Sequence, residues 1–462
     1  MAAAACSAPA APAPTTAPKP AATTAPAPVA TAAPVAAATQ APVQAGAAKP
    51  LAGVTLNGAM FEHTFSAIIK EFLPDFEAKT GAKVNLELNA FAVYNQRADL
   101  ELSTKGSAYD FMNITLIYSG KWIGSGWFSN LEEFLKDPNK TPKDWDAEDF
   151  VLSKTQQDKT GARFGFPWLG EAQVMTVARP DLIEKAGMKV PTTYDDFMKV
   201  MAAVDGKEGC KGFVTNKTHH WMWAHILMGF GGNMFKAPPD NLTPRLDTPE
   251  AIAAADWYGN LLRTYAPDGV LTYTDDQMMT AQAQGRANIS MHTLSWTIPL
   301  VDKAKSTVFD KVKYAMVPAG PKALMPGVGS HGLGIPVGAK QKAAAWEFLK
   351  WALSKEMIWR MVKEKNYTSA CRKSVLDSPD FQKVMIFNGV DVAALSKEVF
   401  NMADKGGYMA YRTVPVFPQI GEKVNKAIEV VTTKQMSAAD AMKAAQAETV
   451  ADFKKAGVPM DL

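Results

Sequence analysis

The sequence predicts an α/β protein built on mostly parallel sheets flanked by helices, and three observations carry that expectation. After residue 50, short apolar runs and helical periods alternate along the chain, the pattern of successive βαβ units. At 462 residues the chain is long enough for two compact domains. Residues 166–197, FPWLGEAQVMTVARPDLIEKAGMKVPTTYDDF, place in order an aromatic-proline turn, an apolar strand, a short helix ending at Gly187 and a Pro-Thr-Thr helix start. That order reads as the chain crossing between two bodies rather than as a catalytic motif.

Taken in order, a strand is expected over 54–56, a turn at Asn57 and Gly58, and a helix over 65–79. Gly81 closes this helix, since glycine accepts the left-handed conformation of a helix C-terminus. Residues 84–88 read as the next strand, 98–103 as a helix and 111–115 as a third strand. Ligands of doubly wound sheets sit beyond the carboxyl ends of the strands. The loops after Leu56, Leu88 and Thr115 are therefore the first places to look.

Composition narrows the class. With 47% hydrophobic and 21% charged residues, the chain has the make-up of a soluble globular protein. A net charge of +3, spread through helices, offers no phosphate-tracking surface, which argues against nucleic acid as a partner. No apolar run reaches the ~18 residues of a spanning helix. Residues 1–50 are almost wholly Ala, Pro and Thr, with Lys19 and Lys49 the only charges. Such a segment buries too little apolar surface to offset its ordering entropy and is expected to be a disordered stalk. At its head, Cys6 follows four alanines and precedes Ser7, which resembles the small-residue site at which bacterial lipoproteins are cleaved and acylated. Neither a basic stretch nor an apolar stretch precedes it. Cys210 and Cys371 lie far apart in sequence and are expected as two buried thiols rather than a disulfide.

Several segments stand in a recognisable order: FEAKTGAKV at 76–84, YDFMN and the following GWFSNLEEFL, the crossing segment, LDTPEAIAAADWYGNLL from Leu246, QAQGRANISMHTLSW, and GVGSHGLGIPVGAKQKAAAWEFLKWALS at 327–354. Each is degenerate alone. Together they resemble the bacterial extracellular solute-binding proteins of family 1, the sugar- and polyol-binding receptors of ABC importers. The resemblance implies a two-lobed type II binding-protein fold with the ligand cleft between discontinuous lobes. Lobe one would comprise 51–167 and 322–366, and lobe two 168–321 and 367–462. It also implies a monomer that binds without catalysing and needs no cofactor. Its partners would be a sugar or sugar alcohol and the permease subunits. Its place would be the periplasm or the outer face of a cell membrane, anchored by lipid through Cys6.

Sugars and polyols present hydroxyls in every direction together with apolar C–H faces, so their sites combine planar aromatic rings with forked polar groups. Among 11 tryptophans, the resemblance implies an aromatic platform at Trp296. It gives Trp221 and Trp223 to a second aromatic-bearing segment, with His219 or His220 as a neighbouring donor. Glu171, which follows Pro167 and Trp168 in the crossing, matches an acidic or polar ligand contact, and Trp168 joins it. Arg372 matches a place after the last crossing where an arginine is common. The strand-end rule adds Glu62 and His63, Tyr94 and Asn95, and Thr115 or Tyr118. Ser330 and His331 lie in the Gly-flanked loop GVGSHGLG, whose backbone suits close approach to a ligand. Each has a plainer reading: one indole packed in a helix interface, Glu171 in a hinge salt bridge, Arg372 in a surface pair. Trp346 and Trp351 repeat at a helical spacing that points to core.

Other functions fare worse. GxSxG, Walker, GxGxxG and HExxH motifs are absent, and His220 and His225 are not at the spacing that puts two ligands on one helix face. A glycoside-active enzyme needs only carboxylates, but it leaves the order of segments unexplained. No Tyr-Tyr pair of the kind ferric sites use occurs, and the candidate loops are poor in Arg and Lys. Neutral hydroxylated ligands fit better than metal chelates, phosphate esters or peptides. A structural lipoprotein would show no closure on small molecules.

Overall fold

Two separate sheets organise residues 49–461, the part of the chain that the computed structural model describes. Cys6 and all of the proposed stalk but Lys49 and Pro50 lie outside these residues.

The first sheet opens with β1 (Thr55–Phe61), α1 (Thr64–Thr80) and β2 (Lys83–Asn89), with β1 and β2 parallel from Thr55 opposite Lys83 to Phe61 opposite Asn89. β1 runs on to Phe61, so Asn57 and Gly58 are strand rather than turn. Gly58 is needed there for closeness: a Cβ would stand 2.0 Å from the Phe111 ring. Gly81 ends α1 at φ 82°, as expected. α2 (Phe91–Ser103) starts before its expected position, and β3 (Phe111–Ile114) pairs in parallel with β1. Phe111 in turn stacks on Phe348 of the helix Lys342–Ala352 at 4.1 Å. Trp346 is buried in this core and Trp351 packs against it. β4 (Gly165–Pro167) lies at the far edge.

The second sheet contains β5 (Glu171–Val177) and β6 (Lys211–Phe213), followed after a separate hairpin of β7 (Phe235–Ala237) and β8 (Asn241–Pro244) by β9 (Ala287–Thr293) and β10 (Lys313–Ala315). Its order is β10-β5-β9-β6, with β11 (Val328–Gly329) added on β5. β12 (Gly332–Gly334) then completes the first sheet, whose order is β2-β1-β3-β12-β4.

The expectation of mostly parallel sheets gives way to mixed ones. β12 runs antiparallel to β3 and β4, and β5 is antiparallel to β9, β10 and β11. The reason is the route of the chain. A βαβ crossover delivers a parallel strand, whereas β5 and β12 arrive directly from the other sheet and are free of that constraint. At these passages three segments run side by side. The Trp168 N–H donates to the His331 carbonyl at 2.9 Å, the Gly170 N–H to the Ser369 carbonyl at 3.1 Å, and the Tyr367 hydroxyl to the Trp168 carbonyl at 2.9 Å. Cys210 and Cys371 are free, buried thiols, each pushed up to about 12 chiefly by burial.

Candidate functional site

A cavity of about 460 Å³ opens where the carboxyl ends of the first sheet's parallel strands face the second sheet. From the first sheet come Phe61 at the end of β1, Glu62 and His63 after it, Ala90 and Phe91 after β2, and Leu116 and Ile117 after β3. The passages between sheets contribute Leu169, Glu171, Gly329 and His331. The second sheet brings Asn216, Trp221, Asp275, His292 and Trp296, and Arg412 arrives from near the C-terminal helices.

Two histidines form one polar wall. His63 caps α1, its Nδ1 accepting from the Phe65 N–H at 3.3 Å. His331 Nδ1 accepts from the Leu116 N–H at 3.1 Å. An accepting Nδ1 leaves the proton on Nε2, so both rings keep an Nε2–H donor. Burial lowers His63 to about 4 and His331 to about 3, which makes them neutral donors near pH 7. Trp168 holds them in place, with ring centroids 4.9 Å from His63 and 5.8 Å from His331.

The facing wall offers acceptors. Glu171 is buried; its Oε1 accepts from Ser369 at 2.9 Å and its Oε2 from Ser295 at 2.8 Å. Burial pushes this carboxyl above its ordinary value against the pull of those hydroxyls. Asp275 Oδ1 receives Asn216 Nδ2 at 2.6 Å and stands 3.1 Å from His292 Nε2. Burial raises Asp275, but these two partners outweigh it and hold the carboxyl below the usual range. Trp296, on the short helix Leu294–Thr297 that follows β9, is half-buried. It has no aromatic neighbour among the described residues, so its ring is free to meet a ligand face.

Six of the residues singled out in the sequence thus line one cavity: Glu62, His63, Glu171, Trp221, Trp296 and His331. The others sit elsewhere. Tyr94 is buried and donates to the Asn113 carbonyl at 2.6 Å, while Thr115 donates to Asn95 Oδ1 at 2.8 Å; these three tie α2 to β3 and its following loop. Tyr118 stacks on Trp122 at 5.1 Å. Trp168 is fully buried beneath the histidines rather than in the wall. Trp223 is also fully buried, because residues two apart on the helix His219–Gly229 point to opposite sides and only Trp221 reaches the cavity. His219 is buried beside Tyr258, and Ser330 is buried as well. Arg372 is fully buried away from the cavity. It donates to the carbonyls of Leu353 and Trp145 at 2.8 Å and of Asp146 at 2.9 Å. Its place at the cavity is taken by Arg412, which sequence reasoning missed, as it missed Asn216, Asp275 and His292. Asn216 follows β6 and so obeys the strand-end rule; nothing local marks Arg412.

Comparison with known proteins agrees with this geometry. The model of the family described as bacterial extracellular solute-binding protein matches residues 62–358. The mannitol-binding protein of Pseudomonas aeruginosa is 25% identical over 436 residues, covering 88% of this chain and 94% of that protein. The erythritol/L-threitol-binding protein of Mycolicibacterium smegmatis is 22% identical, covering 71% and 72%. Among solved structures, an ABC transporter solute-binding protein from Agrobacterium radiobacter K84 in complex with ribitol superposes with a TM-score of 0.75 at 25% identity, covering 87% of this chain and 99% of that one. One from Agrobacterium vitis S4 with bound D-mannitol gives 0.76 at 23% identity, covering 88% and 100%, and shares the fold. The paired mixed sheets, the crossings between them and the family match across well over half the chain lead to one assignment: this protein belongs to the bacterial extracellular solute-binding proteins and has their two-lobed type II fold.

Proposed function

We propose that this protein is the receptor of an ABC importer that captures a sugar alcohol, or a sugar of similar size, and delivers it to a membrane permease. The carrying observation is the composition of this cavity: a free Trp296 ring, neutral histidine donors on one wall and carboxylate acceptors on the other. A polyol offers each hydroxyl as donor and acceptor and its C–H faces to a ring, and such a lining answers all three. The named ligands of the relatives, mannitol and erythritol or L-threitol, belong to the same chemical class.

Part of this reading is the division into lobes, 51–167 with 322–366 against 168–321 with 367–462; the two separate sheets support it, except that β11 at Val328–Gly329 pairs with β5 of the second sheet, so the return to lobe one falls after Gly329 rather than at 322. Ligand contacts from both lobes would favour the closed form, which is how a ligand drives closure. The reading includes a monomer that binds without catalysing. In its support, two of the carboxylates that line the cavity are already engaged, the buried Glu171 by two serines and the half-buried Asp275 by Asn216 and His292. It also includes acylation at Cys6, which mass spectrometry of the N-terminal peptide from the native host would reveal as an added lipid.

Titration calorimetry of the protein from residue 49 with tetritols, pentitols, hexitols and hexoses tests the proposal. Binding of at least one of these with saturation at 1:1 is expected. Silence across the panel, alongside a thermal shift with amino acids or metal chelates, would overturn it.

A further inference from the structure

We propose that Arg412 is the polar anchor of the ligand, donating in the plane of its guanidinium to two adjacent hydroxyls of a neutral polyol and so selecting for that diol. This rests on the reading of the cavity as a sugar-alcohol site.

Arg412 lines the cavity and yet is 2% exposed. Two aromatic rings pack against its guanidinium: the central carbon lies 4.1 Å from the Trp221 ring centre and 4.9 Å from that of Phe417. Stacking of this kind fixes the plane of the group and leaves only its edge for hydrogen bonds. Of the five N–H donors on that edge, few are used. Nη2 lies 3.3 Å from His220 Nδ1, and Nε has no partner among the described residues. Nη1 makes no hydrogen bond among the described residues. His220 is held well below its ordinary value by burial and then by Arg412, so it is a neutral acceptor. Arg372 pairs with Asp149 at 3.4 Å; Arg412 has no carboxylate partner among the described residues.

A buried cation with neither counter-charge nor a full set of acceptors is unfavourable, and each missing acceptor adds to the cost. At a cavity wall the remedy is a ligand that brings oxygens. Two adjacent ligand oxygens match a fork of parallel N–H groups. The rest of the wall settles the choice between a diol and a carboxylate. Glu171, Asp275 and Asp276 line the same cavity, and an anionic ligand would meet them as like charges.

The test uses D-mannitol, its single-position deoxy analogues and D-mannonate, titrated into the wild type, Arg412→Gln and Arg412→Lys. Loss of the charged fork should weaken mannitol about tenfold or more in Arg412→Gln, with partial recovery in Arg412→Lys. In the wild type, two adjacent deoxy positions should cost a similar factor, and Arg412→Gln should no longer discriminate at those positions. Equal mannitol affinity in Arg412→Gln with an unchanged melting temperature would overturn the inference, as would a flat deoxy series. Tighter binding of mannonate than mannitol, lost in Arg412→Gln, would replace the diol by a carboxylate and overturn it too. Should Arg412→Gln fail to fold, the deoxy series on the wild type decides alone. A wild type blind to every sugar alcohol would refute the proposed function itself, a result distinct from a wild type that binds mannitol and a variant that binds it equally.

Discussion

Ser369 donates to Glu171 Oε1 at 2.9 Å across 198 positions of sequence, pinning the start of β5 to the last passage of the chain between the sheets. Ser295 takes the other oxygen at 2.8 Å. Glu171 is therefore a clasp as well as a wall of the cavity. Its carboxylate joins three segments whose relative positions shape the site.

The clasp predicts a double effect for Glu171→Gln. An amide matches only one of the two serines as an acceptor, so the variant should lose about 1–3 kcal/mol of stability and bind ligand more weakly. The folded carboxyl is raised by burial, so the native state binds its proton more readily than the unfolded chain. This group therefore favours folding most below the ordinary carboxylate value and loses that contribution as pH rises through its folded value. The melting-temperature advantage of the wild type over Glu171→Gln should thus be larger at acid pH than at neutral pH. A constant difference would show that Glu171 is not buried as a carboxyl.

Arg372 provides the opposite case, structure without ligand. It reaches three backbone carbonyls and Asp149 while fully buried. Removing it strands three backbone carbonyls and takes the guanidinium from the buried Asp149 carboxylate, which keeps Ser374 and Lys355, a loss on the order of 3–5 kcal/mol. Arg372→Met should therefore lower the melting temperature sharply while the fraction that folds binds ligand with wild-type affinity. Weakened affinity at unchanged stability would put it at the ligand after all.

These two arginines show where the sequence is legible and where it is not. The helix and strand periods, the C-cap at Gly81 and the strand-end rule depend on neighbours in sequence, so α1, β2, the start of β1 and the cavity positions Glu62 and His63 are readable from local pattern, while the run of β1 on to Phe61 is not. Trp221 against Trp223 turns on the rotation of one helix, which is buried all round and carries no amphipathic signal. Arg372 against Arg412 turns on which distant carbonyls and rings surround each guanidinium. Trp145 and Asp149 enclose the first, Trp221 and Phe417 the second. Strand direction escaped for a similar reason, because a passage between sheets looks like any other loop.

The histidine wall predicts acid sensitivity. His331 and His63, held near about 3 and about 4 by burial, take up protons more readily when unfolded. Their contribution to stability is complete above their unfolded value of about 6.5 and is lost as pH falls toward the folded values. His331→Asn keeps an acceptor for the Leu116 N–H but cannot titrate in this range. Between neutral pH and pH near 4 its melting temperature should fall less steeply than that of the wild type; parallel curves would mean that the fold does not hold His331 neutral.

The tryptophans separate ligand energy from folding energy. Trp296 packs on no other ring, whereas Trp223 is fully enclosed in the core beside the same cavity. Trp296→Ala should cost less than about 1 kcal/mol of stability but about 1–3 kcal/mol of affinity for a polyol, the range of an aromatic anchor. Trp223→Ala should lose about 3–5 kcal/mol of stability through the cavity it creates and leave the intrinsic affinity of the folded protein unchanged. Calorimetric titration together with chemical denaturation measures both quantities on both variants. If Trp296→Ala bound as tightly as the wild type, the ligand would have to lie against Trp221 or the histidines instead.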